Sequence, residues 1–221
     1  MGDFVTKKGK LIKYTGEDSI VKLPYRVKEI KHLAFFSFEG IKEIVLTKYV
    51  EKIDEGVFGY CTELEKIIVR KNNPVFESVD GCLYSKELDR IIKYPSQKEG
   101  SVYKILDTVK IIGPNSFEYA FNLEEIILPE GIKEIHSAAF QDCVTLTKIT
   151  LPESLEIIKN HAFFGCRELK EIVIPKSVKE IGNYAFNQCD VLERIIFLGN
   201  PELTDFSIAS LKNVEIIKEE N

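Results

Sequence analysis

The chain has 221 residues, 44% of them hydrophobic, and a net charge of −5. It is too apolar and too weakly charged to stay disordered, and its mixed charges exclude a nucleic-acid groove, which needs clustered Lys and Arg. No apolar run approaches the roughly 20 residues of a membrane-spanning helix, so membrane insertion is not expected.

The N-terminal "MGDFVTKKGK" lacks the apolar core of a signal peptide, so the chain as given is cytoplasmic unless it is a mature or trimmed form. Residues 1–19 read as a β-hairpin cap, with Lys8-Gly9 as the tight turn between two alternating segments. From residue 20 the chain is periodic. Phe35, Phe58, Phe117, Phe140, Phe163 and Phe186 are separated by 23, 59, 23, 23 and 23 residues. The long gap holds one period and an insertion of 36 residues. A fixed period in this range is the mark of a repeat architecture.

Within a unit the spacing dictates the structure. Leu123, Ile126 and Leu128 open one unit, and the same pattern returns at Leu146, Ile149, Leu151 and at Leu169, Ile172, Ile174. This alternation of branched residues predicts a short strand. Pro129, Pro152 and Pro175 follow directly and end it, because proline has no N–H to give a ladder. A second extended piece follows at Ile132–Ile135, Leu155–Ile158 and Val178–Ile181. Ala139-Phe140, with Cys143 three residues on, has helical spacing and predicts one helical turn. A unit this short cannot bury enough apolar surface alone, so the units should stack with their strands pairing in parallel.

The first repeats span 20–69. The insertion, 70–101, contains "FESVDGCLY", which parallels "FVTKKGKLI" and predicts a second hairpin turning at Asp80-Gly81. Further repeats occupy 102–198. Residues 199–221 form the C-terminal cap, with "DFSIASLKN" read as a short helix and "VEII" as a last strand. The whole chain is expected to be a single solenoid.

On these motifs the sequence resembles the Treponema-type, BspA-like leucine-rich repeat. That unit carries Leu-x-x-Ile-x-Leu-Pro, then Val-x-x-Ile, then Ala-Phe-x-x-Cys. The resemblance covers about residues 20–198. Phe38 and Ala120 depart from it at the Cys position, Val57 and Ser116 at the Ala position, and Thr47 at the proline. It implies a β-rich solenoid, a leucine-rich-repeat-like right-handed superhelix of 23-residue units with short helical turns and two hairpins. It also implies a bacterial surface or secreted protein that binds a protein partner, a host or cell-surface protein among them.

Chemistry is sparse. Cys61, Cys143, Cys166 and Cys189 share one repeat position and stack at about 5 Å. A disulfide staple or a metal site is one reading; a ladder of small buried thiols is the other, and Phe38 and Ala120 at the same slot favour bulk over sulfur chemistry. Cys82 in the hairpin is the candidate exposed, reactive thiol. His32, His136 and His161 sit at three different repeat positions and do not converge. No catalytic residue, metal site or cofactor is therefore assigned, and the chain reads as a non-enzyme.

The strands offer more. Val45, Ile68, Ile127, Thr150, Val173 and Ile196, with Lys22 and Lys104, point away from the inward Ile and Leu residues. On the concave face of a curved solenoid they would form a mostly β-branched, apolar stripe. It is either a docking strip for a protein partner, or for a second copy, or a consequence of strand propensity in a structural spacer. Beside it Glu43, Lys66, Glu125, Lys148, Glu171 and Arg194 alternate in sign, which should pair opposite charges on adjacent strands.

Overall fold

In the computed structural model, which describes residues 3–35, 40–204, 206–207 and 214–218, every strand grows from this alternation. The chain falls into two compact units, Met1–Glu99 and Gly100–Asn221, each a β-solenoid of 23-residue turns.

In the first unit, β1 (Phe4–Lys7) and β2 (Lys10–Tyr14) make the predicted N-terminal hairpin. Lys8 and Gly9 both take positive φ (50° and 76°), as a tight two-residue hairpin turn requires. The main ladder is β3 (Ile20–Lys22), β5 (Glu43–Leu46) and β7 (Lys66–Val69), parallel and in register. Val21, Ile44 and Ile67 face each other across it and are buried. A second, shorter ladder joins β2 to β4 (Glu29–Ile30) and β6 (Lys52–Ile53).

The insertion is a three-stranded meander rather than a hairpin alone: β8 (Phe76–Val79), β9 (Cys82–Ser85) and β10 (Arg90–Lys93) pair antiparallel. Asp80 and Gly81 turn it with φ of 50° and 77°. It covers the outer edge of β7: the Ile67 N–H donates to the Gly81 carbonyl (2.8 Å) and the Val69 N–H to Ser78 Oγ (3.0 Å). An edge left open would be free to pair with another chain. Asn73 fastens the insertion to the preceding turn. Its buried amide donates to the carbonyls of Thr47 (3.0 Å) and Val50 (2.9 Å), and its oxygen accepts from the N–H groups of Val75 (2.8 Å) and Phe76 (2.7 Å).

The second unit repeats the plan. β11 (Val102–Lys104), β13 (Glu125–Ile127) and β15 (Lys148–Thr150) form one parallel sheet. β17 (Glu171–Ile174), β19 (Arg194–Phe197) and β21 (Glu215–Lys218) form another, the last being the strand expected at "VEII". The short ladder runs through β12 (Ile111–Ile112), β14 (Glu134–Ile135), β16 (Ile157–Ile158), β18 (Glu180–Ile181) and β20 (Glu202–Leu203).

The Ala-Phe-x-x-Cys segments are not helical, and no helix occurs among the described residues. Two residues per turn break the helix. The position two before each Phe is left-handed (Leu33, Gly56, Asn115, Ala138, His161, Tyr184), and so is the position two after it (Tyr60, Tyr119, Asp142, Gly165, Gln188). Left-handed backbone is unfavourable for residues other than glycine. Hydrogen bonds between turns hold it. The N–H groups of Ala138, Phe140 and Asp142 donate to the carbonyls of Asn160, Ala162 and Phe164 at 3.0, 2.7 and 2.7 Å. The intervening N–H groups of Ala139, Gln141 and Cys143 close turns onto residues three before them. The Phe rings stack along this spine. Phe117–Phe140, Phe140–Phe163 and Phe163–Phe186 have centroids 5.0, 5.2 and 5.5 Å apart, and Phe35–Phe58 in the first unit 6.3 Å. Phe38 and most of "DFSIASLKN" lie outside the described residues.

Ser116 occupies the Ala position of this spine, fully buried, and its hydroxyl has no partner among the described residues. Replacing it with alanine removes a desolvated polar group at little packing cost. Ser116→Ala should therefore stabilise the protein by about 1 kcal/mol and raise Tm by about 2–4 °C in calorimetry. A lowered Tm would show that the hydroxyl has a partner after all.

Candidate functional site

The outward strand face is set by register. Because the inward residues pair in parallel, the residues between them line up too: Lys22, Val45 and Ile68 in one ladder, Lys104, Ile127 and Thr150 in the next, Val173, Ile196 and Ile217 in the last. Ile127 is 42% exposed and Val173 38%; Thr150 is exposed, and Ile68 and Ile196 are half-buried. Val45 is a correction. It keeps its place on this face but is only 4% exposed, a short side chain in the middle strand between Lys22 and Ile68, so it offers almost no surface. Ile217 was not singled out in the sequence; it continues the stripe onto β21.

The flanking charges pair as their spacing requires. Lys66 meets Glu43 at 2.9 Å, Lys148 meets Glu125 at 2.7 Å, and Arg194 meets Glu171 at 2.7 Å. Hydrogen bonding to Glu43 raises the Lys66 pKa. A second row follows the short strands. Glu156 lies between Lys179 (2.5 Å) and Lys133 (2.9 Å), and those two ammoniums hold its carboxyl down at about 2. Exposed pairs of this kind contribute little stability each. Their consequence here is that charge beside the stripe is already neutralised.

The cysteines form no disulfide, and all five are buried. The repeat position asks for more than bulk. Cys61, Cys143, Cys166 and Cys189 each donate a thiol hydrogen bond to the carbonyl of the Phe one turn earlier, Phe35, Phe117, Phe140 and Phe163, at 3.8, 3.0, 3.2 and 3.2 Å. Burial pushes the Cys61 and Cys189 thiols up to about 12 and Cys166 well above its ordinary value. Thiols held protonated in this way are poor nucleophiles. Cys82, expected to be exposed and reactive, is instead fully buried, because β9 is the middle strand of the meander.

Each histidine has its own partners. His32 Nδ1 contacts the Glu55 carbonyl (2.6 Å), His136 Nε2 contacts Glu134 (3.1 Å), and His161 packs on Phe164 and Tyr184. Among the described residues no three His, Cys, Asp or Glu side chains are placed to hold a metal ion. A cleft of about 320 Å³ in the first unit is lined by Glu65, Lys66, Asp80, Gly81, Lys98 and Glu99. Its ammoniums are paired, Lys98 with Asp80 at 2.8 Å and Lys66 with Glu43. No helix among the described residues is long and apolar enough to cross a membrane.

Parallel 23-residue turns and a stacked Phe spine define a leucine-rich-repeat solenoid. The chain belongs to the BspA type leucine-rich repeat family, whose model matches residues 16–99 and 110–219 in six copies. That family is a non-enzymatic repeat scaffold, and it fits a repeat-based interaction module. No curated protein matches the sequence.

Among solved structures, the chain is similar to the pneumococcal vaccine antigen PcpA, at 27% identity and a TM-score of 0.68 over 90% of this chain and 67% of that one. It is similar to a leucine-rich repeat protein from Eubacterium ventriosum, at 25% identity and a TM-score of 0.66 over 91% of this chain and 48% of that one. It is also similar to a leucine-rich cell surface protein from Faecalibacterium prausnitzii, at 27% identity and a TM-score of 0.64 over 80% and 53%. The chain thus spans about half the length of two of these proteins.

Proposed function

We propose that this chain is a protein-binding module of a bacterial surface or secreted protein, and that it docks its partner on the outward strand face of the second unit through Ile127, Thr150 and Val173, with Ile196 contributing. One observation carries this reading. Two large apolar side chains, Ile127 and Val173, stand about 40% exposed on strands that are already ordered, beside charges that are already paired. Docking there loses little conformational entropy and need not strip unpaired ions. The cell-surface neighbour from Faecalibacterium prausnitzii supports the location.

The burial of Val45 favours a second reading for the strand face of the first unit, that of a structural surface with no ligand docked on it. The test compares wild type with Ile127→Asp/Val173→Asp, both immobilised and exposed to host extracellular and bacterial surface proteins. The variant should melt as cooperatively as wild type and lose the captured partner. Equal capture by both would remove the stripe from the function. Unfolding of the variant would mean that these side chains belong to the core.

A further inference from the structure

The first unit carries a second surface that the repeat does not explain. It lies in the turns leaving β3, β5 and β7. The register of these strands stacks the turns at about one strand spacing, roughly 5 Å. Three successive turns place Tyr25-Arg26, Lys48-Tyr49 and Arg70-Lys71 side by side. Tyr25 is 74% exposed and Tyr49 41%, their rings edge to face at 5.8 Å. Lys48 Nζ stands 5.1 Å from the centre of the Tyr49 ring.

All four cations are exposed, and none of them has a carboxylate partner among the described residues. Among the described residues, Arg26 donates to Thr6 Oγ1 at 3.4 Å. This contrasts with the strand rows, where each ammonium or guanidinium was given a carboxylate one turn away. The contrast with the second unit is as sharp. The repeat position that holds Tyr25, Lys48 and Lys71 in the first unit holds Asp107, Glu130, Glu153 and Lys176 in the second. On a chain of net charge −5, four unpaired cations gathered around two exposed tyrosines are a local inversion of sign.

We propose that the turn surface of Tyr25, Arg26, Lys48, Tyr49, Arg70 and Lys71 binds an acidic segment of a protein partner. Carboxylates would meet the four cations, the two arginines offering the planar fork that suits them. Apolar side chains between the carboxylates would rest on the tyrosine rings, which supply large, stiff, amphipathic contact area. The exposed tyrosines favour a peptide over a densely sulfated glycan, because a peptide brings apolar side chains to cover their rings.

The test uses the full chain and a fluorescein-labelled peptide of alternating glutamate and leucine, with binding read by anisotropy at low and high salt. Wild type should bind, more weakly as salt rises. Lys48→Glu/Lys71→Glu should lose affinity by about tenfold or more at low salt. Tyr25→Ser/Tyr49→Ser should weaken binding at both salt levels. Lys110→Glu/Lys176→Glu, the same charge change in the second unit, should bind like wild type. The proposal is overturned if the peptide does not bind, or if the second-unit variant loses as much as the first. It is also overturned if a heparin oligosaccharide binds this patch and the peptide does not. Sedimentation showing a dimer that Lys48→Glu/Lys71→Glu dissociates would overturn it too, by assigning the patch to a second copy of the chain.

Discussion

Phe140→Ala is expected to cost about 3–5 kcal/mol, the range for losing a buried aromatic ring. Phe140 is fully buried and stacks on both neighbours, Phe117 at 5.0 Å and Phe163 at 5.2 Å. Alanine would therefore lose two ring contacts and leave a cavity in the middle of the spine. The turns cannot close over it, because the Phe140 N–H is tied to the Ala162 carbonyl at 2.7 Å and the Phe140 carbonyl accepts the Cys166 thiol at 3.2 Å. The loss appears as a lower midpoint in urea unfolding. A change below about 1 kcal/mol, the scale of a tolerated repacking, would mean that the stack is not the core of this unit.

Asn73→Ala should be nearly as damaging, for a polar reason. The side chain makes four hydrogen bonds in a buried place, two as donor and two as acceptor. Alanine leaves the carbonyls of Thr47 and Val50 and the N–H groups of Val75 and Phe76 without those partners. Each orphaned buried group costs about 1–3 kcal/mol, less whatever water can recover. A total loss of about 2–4 kcal/mol follows. Hydrogen exchange locates it: amides of β7 to β9 should exchange faster, while those of the second unit should not change. A uniform change over both units, or none, would show that Asn73 does not clamp the insertion.

Much of the architecture was legible because it rests on periodicity. The spacing of Leu, Ile and Phe sets strand, turn and spine, and a displaced residue would leave a hole in every neighbouring turn. Lys8-Gly9 and Asp80-Gly81 announced their hairpins because few dipeptides accept two consecutive positive φ angles. The pairing of Glu43, Glu125 and Glu171 with cations one turn on followed from parallel register alone.

What failed to show was set by the neighbouring turn rather than by the unit. Phe140 and Cys143 have helical spacing, but Ala138 and Asp142 turn left-handed because the carbonyls of Asn160 and Phe164 await their N–H groups. The thiol hydrogen bonds are of the same kind: a Cys and a Phe carbonyl 26 residues apart in sequence meet only in the stacked solenoid. Cys82 looked exposed because β10 was not foreseen as a third strand beside β9. Val45 and Ile127 are indistinguishable by sequence position, and only packing separates 4% from 42% exposure. Asn73 reads as an ordinary turn residue until the insertion folds back over it.

If the outward strand face docks another protein, as proposed, it is open in the isolated chain. Light scattering coupled to size-exclusion chromatography, over a concentration series of the wild-type protein, tests it most directly. The protein should show the monomer mass at every concentration. A concentration-dependent dimer that Ile127→Asp/Val173→Asp returns to monomer would contradict it, since the stripe would then be occupied by a second copy of the chain.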